Sequence, residues 1–282
     1  MLTKFRSFVY KYAIPSAVIL ALLFYAIMQG VAALFRALNG GVAVKYIYEI
    51  VCMLYPMGFV VLFGFADSFK SKKFFKGILC GIALVAIQAF ALAVQFAEAV
   101  SGDNAWKPWY LILLGIVSVI GIGIREESFF RATIQNILAK KYGGSVKGVW
   151  LTAIVSALIF GLIHAFNVFA GVEPLPAVIQ AITNVGIGLF FAALYLRSGN
   201  FWTLVAVHAL TDTAGLFGSV FLYQSDIAVI SSMSWQSLIG GVLFVGISAF
   251  LLRPSKCKEI LSRFSEERGE QADKVLADDQ LA

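Results

Sequence analysis

Three short stretches place ionisable side chains at helical spacing inside otherwise apolar sequence: "EESFFR" at 126–131, "FGLIH" at 160–164 and "HALTD" at 208–212. On a helix, Glu127 and Arg131 lie four residues apart on one face and can pair. Glu126 turns about 100° away, beside Phe130 in projection. One carboxylate is then neutralised locally and the other is left for something else, which marks Glu126 as the reactive member. His208 and Asp212 also share a face; a carboxylate there can hold an imidazole in one tautomer, or the pair can share a metal ion. His164 follows Phe160 by one turn, and the chain contains no histidine besides these two. A lone histidine in a transmembrane helix usually hydrogen-bonds a neighbouring helix, but two of them, with no other in the chain, favour a functional role. The bland alternative for "EESFFR" is an amphipathic segment on the membrane surface, with both glutamates solvated.

The elements that must position these residues are membrane spans. Of 282 residues, 60% are hydrophobic and 13% charged, far from the balance of a soluble domain. Apolar runs long enough to cross a bilayer recur along the whole chain. Eight are expected, at about 13–35, 46–66, 77–97, 109–139, 148–168, 176–196, 201–222 and 235–252. The fold class is thus an all-α polytopic membrane protein, with a single helical domain over 1–253 and a charged cytoplasmic tail over 254–282. The tail should begin as a short surface helix around "KEILSRF" and end in disorder. The first span is too long for a signal peptide and has no small-residue cleavage site after it. Cys52, Cys80 and Cys257 form no CxxC pair, which argues against both a disulfide framework and a zinc-thiolate site. Glycine pairs such as Gly77 with Gly81, Gly186 with Gly188 and Gly240 with Gly241 read as close helix packing.

The net charge of +6 could suggest a nucleic-acid partner, but its distribution follows the positive-inside rule. With the N-terminus inside, nineteen basic residues fall on inner segments and three (Arg36, Lys45 and Lys107) outside. Both termini are therefore expected in the cytoplasm. Ionisable groups within spans are rare and ordinarily face a cavity, a partner or a transport path. Glu49 lies near the end of a span and reads as an interfacial group.

Counting about 1.5 Å per residue from the lysines that flank "YGGSV" puts Glu126 and His164 roughly 20 to 25 Å from the inner interface, with His208 and Asp212 at similar depth. The three clusters can meet in one layer. A straight helix over 109–139 would be about 46 Å long against a hydrocarbon core of about 30 Å, so a kink or break is expected at "GIGI", residues 121–124.

In this order and on these helices, the stretches resemble the EExxxR, FxxxH and HxxxN/D motifs of the CPBP family. These are the CAAX-protease and bacteriocin-processing (Abi) membrane proteins, related to the Rce1-type CAAX prenyl endopeptidases. The resemblance covers about residues 109–222, and the count of eight spans also looks like the family. It implies hydrolysis of a peptide bond within the membrane, on a hydrophobic peptide or a membrane-protein substrate, in a bacterial cytoplasmic membrane. Its site residues carry over as Glu126, Glu127, His164, His208 and Asp212, with Arg131 and Phe160 in positioning roles. Glu126 and His164 would activate a water; His208 and residue 212 would stabilise or orient the oxyanion. One departure is Asp212, where eukaryotic members have Asn: an amide can donate to an oxyanion, whereas an ionised Asp repels it. Asp212 must then be protonated, orient His208 or help hold a metal. Members are commonly labelled metalloproteases, and Glu126, His164 and His208 could bind Zn(2+), although the chain has no HExxH; a glutamate-dependent enzyme without zinc is the alternative.

Two other functions fit a membrane bundle with buried acids and histidines. One is a non-enzymatic immunity or scaffold protein of the same fold. The other is a proton-coupled carrier, against which stand the lack of an inverted repeat and the confinement of the polar residues to one half. No nucleic-acid partner is expected, and the sequence is silent on oligomeric state.

Overall fold

The computed structural model describes residues 1–38, 41–70 and 73–268, without the side chains of residues 36, 41–46, 49 and 266–268. The Glu49 side chain and residues 269–282 of the tail therefore lie outside what is described. Within them the chain is all-helical, apart from one isolated antiparallel bridge between Trp106 and Leu222.

In chain order the helices are α1 (Leu2–Lys11), α2 (Ala13–Ala37), α3 (Gly41–Leu62), α4 (Phe74–Cys80), α5 (Ile82–Ser101) and α6 (Trp109–Glu126). A π-helical stretch, Glu127–Gln135, leads into α7 (Asn136–Tyr142), followed by α8 (Val146–Ile163) and a 3₁₀ segment, His164–Ala170. Then come α9 (Pro174–Ser198), α10 (Phe201–Gly215), α11 (Phe217–Phe221), α12 (Asp226–Ser231), α13 (Ser237–Leu251) and α14 (Pro254–Arg268).

Each of the eight expected apolar stretches falls on helix, but among the described residues only five helices are both long and apolar enough to cross a bilayer unaided. They are Ala13–Phe35, Ile82–Ser101, Trp109–Tyr142, Val146–Ala170 and Pro174–Ser198; a sixth arises if α13 and α14, bent by 65°, count together. For α10 and α13, of fifteen residues each, the reason is length. At about 1.5 Å per residue, α10 is roughly 22 Å long and stops at Leu216, short of a hydrocarbon core of about 30 Å. The outward faces are apolar, as lipid contact requires: Phe90 is 73% and Val242 72% exposed.

The bundle is built around α9, which is buried along most of its length and packs against α8 and α13. Small residues permit this. A Cβ added at Gly186 would stand 2.2 Å from the Gly241 carbonyl oxygen, so α9 and α13 touch backbone to backbone there. On the other side of α8, Phe24 of α2 stacks on Phe129 (4.2 Å between centroids), tying the N-terminal helices to the π-helical stretch.

Two expectations are corrected. "GIGI" is regular α-helix, and the irregularity begins three residues later, at the glutamates themselves. All nine residues of the π-helix are buried, so the surface-helix alternative for "EESFFR" fails. The start of the tail is also more than a surface helix: Cys257, Ile260 and Leu261 of α14 sit in the same core cluster as α8 and α9.

Candidate active site

Depth is set by the long helix from α6 through α7. Its first residues lie beside the 216–222 segment, its last lead into the turn at 143–145 flanked by Lys140, Lys141 and Lys147, and the two glutamates fall between. A single step of sequence sends them in different directions. Glu126, 15% exposed, lines a cavity of about 1130 Å³. Glu127 is fully buried behind it.

The buried side is an ion-pair network. Glu127 Oε2 stands 3.2 Å from Arg131 Nε, a charge contact without hydrogen-bond alignment, and Arg131 Nη1 donates to Ser156 Oγ at 3.0 Å. The guanidinium lies over the Phe160 ring, 4.8 Å from its centroid, and 5.9 Å from that of Phe191. The pairing read from the spacing of Glu127 and Arg131 is therefore present. Its function is to let two charges exist in a dry place, since either one alone would be costly there.

Glu127 also fixes a histidine. His208 Nδ1 donates to Glu127 Oε1 at 2.7 Å. The imidazole stacks on Phe191 (4.8 Å, 22°), with Phe160 edge-on at 6.2 Å. Ring orientation is thus locked, and Nε2 points to the cavity, 3.7 Å from Glu126 Oε2 and 3.5 Å from Asp212 Oδ2. Only as an imidazolium can this ring donate from both nitrogens at once.

His164, at the end of α8, is held differently. Its Nδ1 lies 2.8 Å from the Phe160 carbonyl oxygen. A carbonyl only accepts, so Nδ1 carries the proton. In the neutral ring Nε2 then keeps its lone pair. His164 lines the same cavity as Glu126, His208 and Asp212.

Four of the expected site residues (Glu126, His164, His208 and Asp212) therefore converge on one cavity, whereas Glu127 and Arg131 support it from behind and Phe160 forms its floor. Sequence reasoning missed Arg125. We expected it among the inner-surface charges, yet its side chain is 12% exposed and pairs with Glu126 at 3.6 Å, lining the cavity. With Arg131 also internal, the inner tally of basic residues falls from nineteen to seventeen, which leaves the asymmetry intact. Phe191 and Ser156 had no signal at all, because their importance comes from helices that meet only in three dimensions.

The donor set is of the right class for zinc, but its placement is not. Among the described residues no three His, Cys, Asp or Glu side chains are gathered so as to hold a metal ion.

Residues 108–214 match the model of a family described as type II CAAX prenyl endopeptidase, Rce1-like. The matched span is under half of the chain and contains every residue of the three motifs. No curated protein and no solved structure matches the chain.

Proposed function

We propose that a chain whose central segment resembles a type II CAAX prenyl endopeptidase is itself an intramembrane endopeptidase, acting on a hydrophobic or membrane-associated peptide. The observation that carries this reading is the split between the adjacent glutamates: one carboxylate at the cavity surface, the other buried and holding His208 in place.

The reaction follows from that arrangement. A water between Glu126 and His164 gives one proton to the Glu126 carboxylate and directs its other toward His164 Nε2, while its oxygen bonds to the scissile carbonyl carbon. The carbonyl oxygen becomes an oxyanion and receives the Nε2–H of His208, held by Glu127. One such preorganised donor contributes about 3 to 4 kcal/mol of transition-state stabilisation. On collapse the C–N bond breaks, and the proton on Glu126 passes to the departing amine. Asp212 sets the direction of the Nε2–H from the far side. Arg125 steadies the Glu126 carboxylate between steps.

The membrane setting completes the proposal. We read eight helical segments as embedded, with both termini in the cytoplasm and the chain resident in a bacterial cytoplasmic membrane, on the basic-residue asymmetry. Glu126→Gln, His164→Ala and His208→Ala should each abolish processing of a membrane peptide without lowering protein level. Comparing peptides released from membranes that carry the wild type or Glu126→Gln tests this. A biological effect that survives all three substitutions would reduce the protein to a binding role.

A further inference from the structure

The cavity has a direction. Its exposed polar lining residues (Glu98, Asn104, Gln224, Asp226 and Ser232) come from the last turn of α5, from the start of α12 and from the connections beside them, at one end of the bundle. Among the described residues, none of its lining comes from 62–76, 136–147, 192–207 or 251–268. Those segments carry most of the lysines and arginines, and they meet at the other end. Arg6 Nε donates to the Leu62 carbonyl (2.7 Å), Trp202 Nε1 to that of Phe69 (2.9 Å) and Arg263 Nη2 to that of Leu196 (2.8 Å). The floor of Phe130, Phe160 and Phe191, with the Glu127–Arg131 pair behind it, separates the cavity from that basic end.

Charge follows the same axis. Glu98, Glu126, Asp212 and Asp226 line the cavity, against Arg125 as its one lysine or arginine among the described residues. Lys107, at the same end, donates instead to the Ser219 carbonyl. Half-way down the wall stands Thr183, 6% exposed, whose hydroxyl has no hydrogen-bond partner although it lines the cavity. A buried polar group left unsatisfied is costly; a peptide carbonyl or N–H passing along α9 would satisfy it.

We infer that the cavity is entered from the outer side of the membrane and takes a cationic peptide segment, drawn in by Glu98 and Asp226 and aligned along Thr183. This deepens the hydrolase reading and rests on it for the fate of the peptide, but not for its entry. Opposite charges at a cleft mouth raise association rates and affinity for one sign of ligand, and they penalise the other.

Two measurements test it. The first introduces a thiol at the mouth, Ser232→Cys, and one at the basic end, Ser7→Cys, both at exposed positions. Intact cells are treated with a membrane-impermeant maleimide, with the parent protein as the reference for Cys52, Cys80 and Cys257. The mouth thiol should label in intact cells and the Ser7→Cys thiol only after permeabilisation; the reverse pattern overturns the outer entry. The second measures binding of two fluorescent apolar peptides, one flanked by lysines and one by glutamates, to purified Glu126→Gln protein, which retains bound peptide uncut. The lysine-flanked peptide should bind about tenfold more tightly, and Glu98→Lys with Asp226→Lys should erase the difference. Equal binding to the Glu126→Gln parent overturns the cationic preference. If the double variant loses its thermal transition, Asp226→Asn alone should give an intermediate ratio, and an unchanged ratio counts against the proposal. Binding of the lysine-flanked peptide without cleavage by the wild type would remove the hydrolase reading and leave this one standing.

Discussion

Glu127 and His208, eighty-one residues apart, are joined by a 2.7 Å hydrogen bond in the driest part of the bundle. Through that bond an acid excluded from the cavity governs what the cavity presents. The imidazole it holds stands between the two cavity carboxylates, 3.7 Å from Glu126 and 3.5 Å from Asp212.

The two adjacent glutamates should therefore fail in different ways. Glu126→Gln removes the proton acceptor and should lower turnover by at least about a hundredfold, with little change in stability. Glu127→Ala leaves Arg131 as an uncompensated buried charge, at a cost of about 3 to 5 kcal/mol. Thermal unfolding in detergent alongside peptide hydrolysis separates them: Glu127→Ala should lose both, Glu126→Gln only the second. Equal loss of stability would mean that Glu126 is structural too.

At Asp212 the related motif also admits Asn. Because Glu127 already holds the His208 ring through Nδ1, the carboxylate at 212 is not needed to orient it. Asp212→Asn should keep activity within about tenfold of wild type, since the amide can still contact Nε2 or donate to the oxyanion, while Asp212→Ala should lose about a hundredfold. A kcat for Asp212→Asn as low as that for Asp212→Ala would show that the negative charge itself is required.

Chelation bears on the metal question. With no three ligands gathered at metal-binding spacing, dialysis against a strong chelator should leave hydrolysis and thermal unfolding unchanged. Loss of either, restored by zinc, would establish that the side chains at 126, 164 and 208 close around a metal ion.

Helix packing gives a test away from chemistry. Gly186→Val would drive a side chain into the Gly241 backbone, where even a Cβ has only 2.2 Å. Overpacking of this kind typically costs about 1 to 3 kcal/mol. The variant should unfold at lower temperature, and Gly240→Val, at an open position, should not.

Much of the site was legible because its key pairs are local. Glu127 with Arg131 and His208 with Asp212 are separated by four residues, and helical periodicity alone sets them face to face. Depth counting also placed Glu126, His164 and His208 in one layer, since it needs only the rise per residue and a turn marked by lysines. What could not be read is what depends on the meeting of distant helices. Phe191, which stacks on His208, looks like any other apolar residue of α9. Arg125 was assigned to the surface because the sequence marks no boundary between the cavity and the interface. Burial of α14 carried a signal in the spacing of Cys257, Ile260 and Leu261, but the surrounding charges masked it. The winding of 127–135 had none, because π-geometry is chosen by the packing around it.

That winding constrains how the gene can change. A π-helix carries more residues per turn than its α-helical flanks, so every side chain downstream is phased by the number of residues in the stretch as well as by their kinds. Loss of one codon between 127 and 135 would let the backbone relax to ordinary pitch and swing Asn136 to Tyr142 around the axis, away from Ser68 and Tyr195, which Asn136 now bonds. Variation in length belongs to the connection at 102–105, whose residues are exposed; in this coil the reading frame of the fold allows substitution but no change in length.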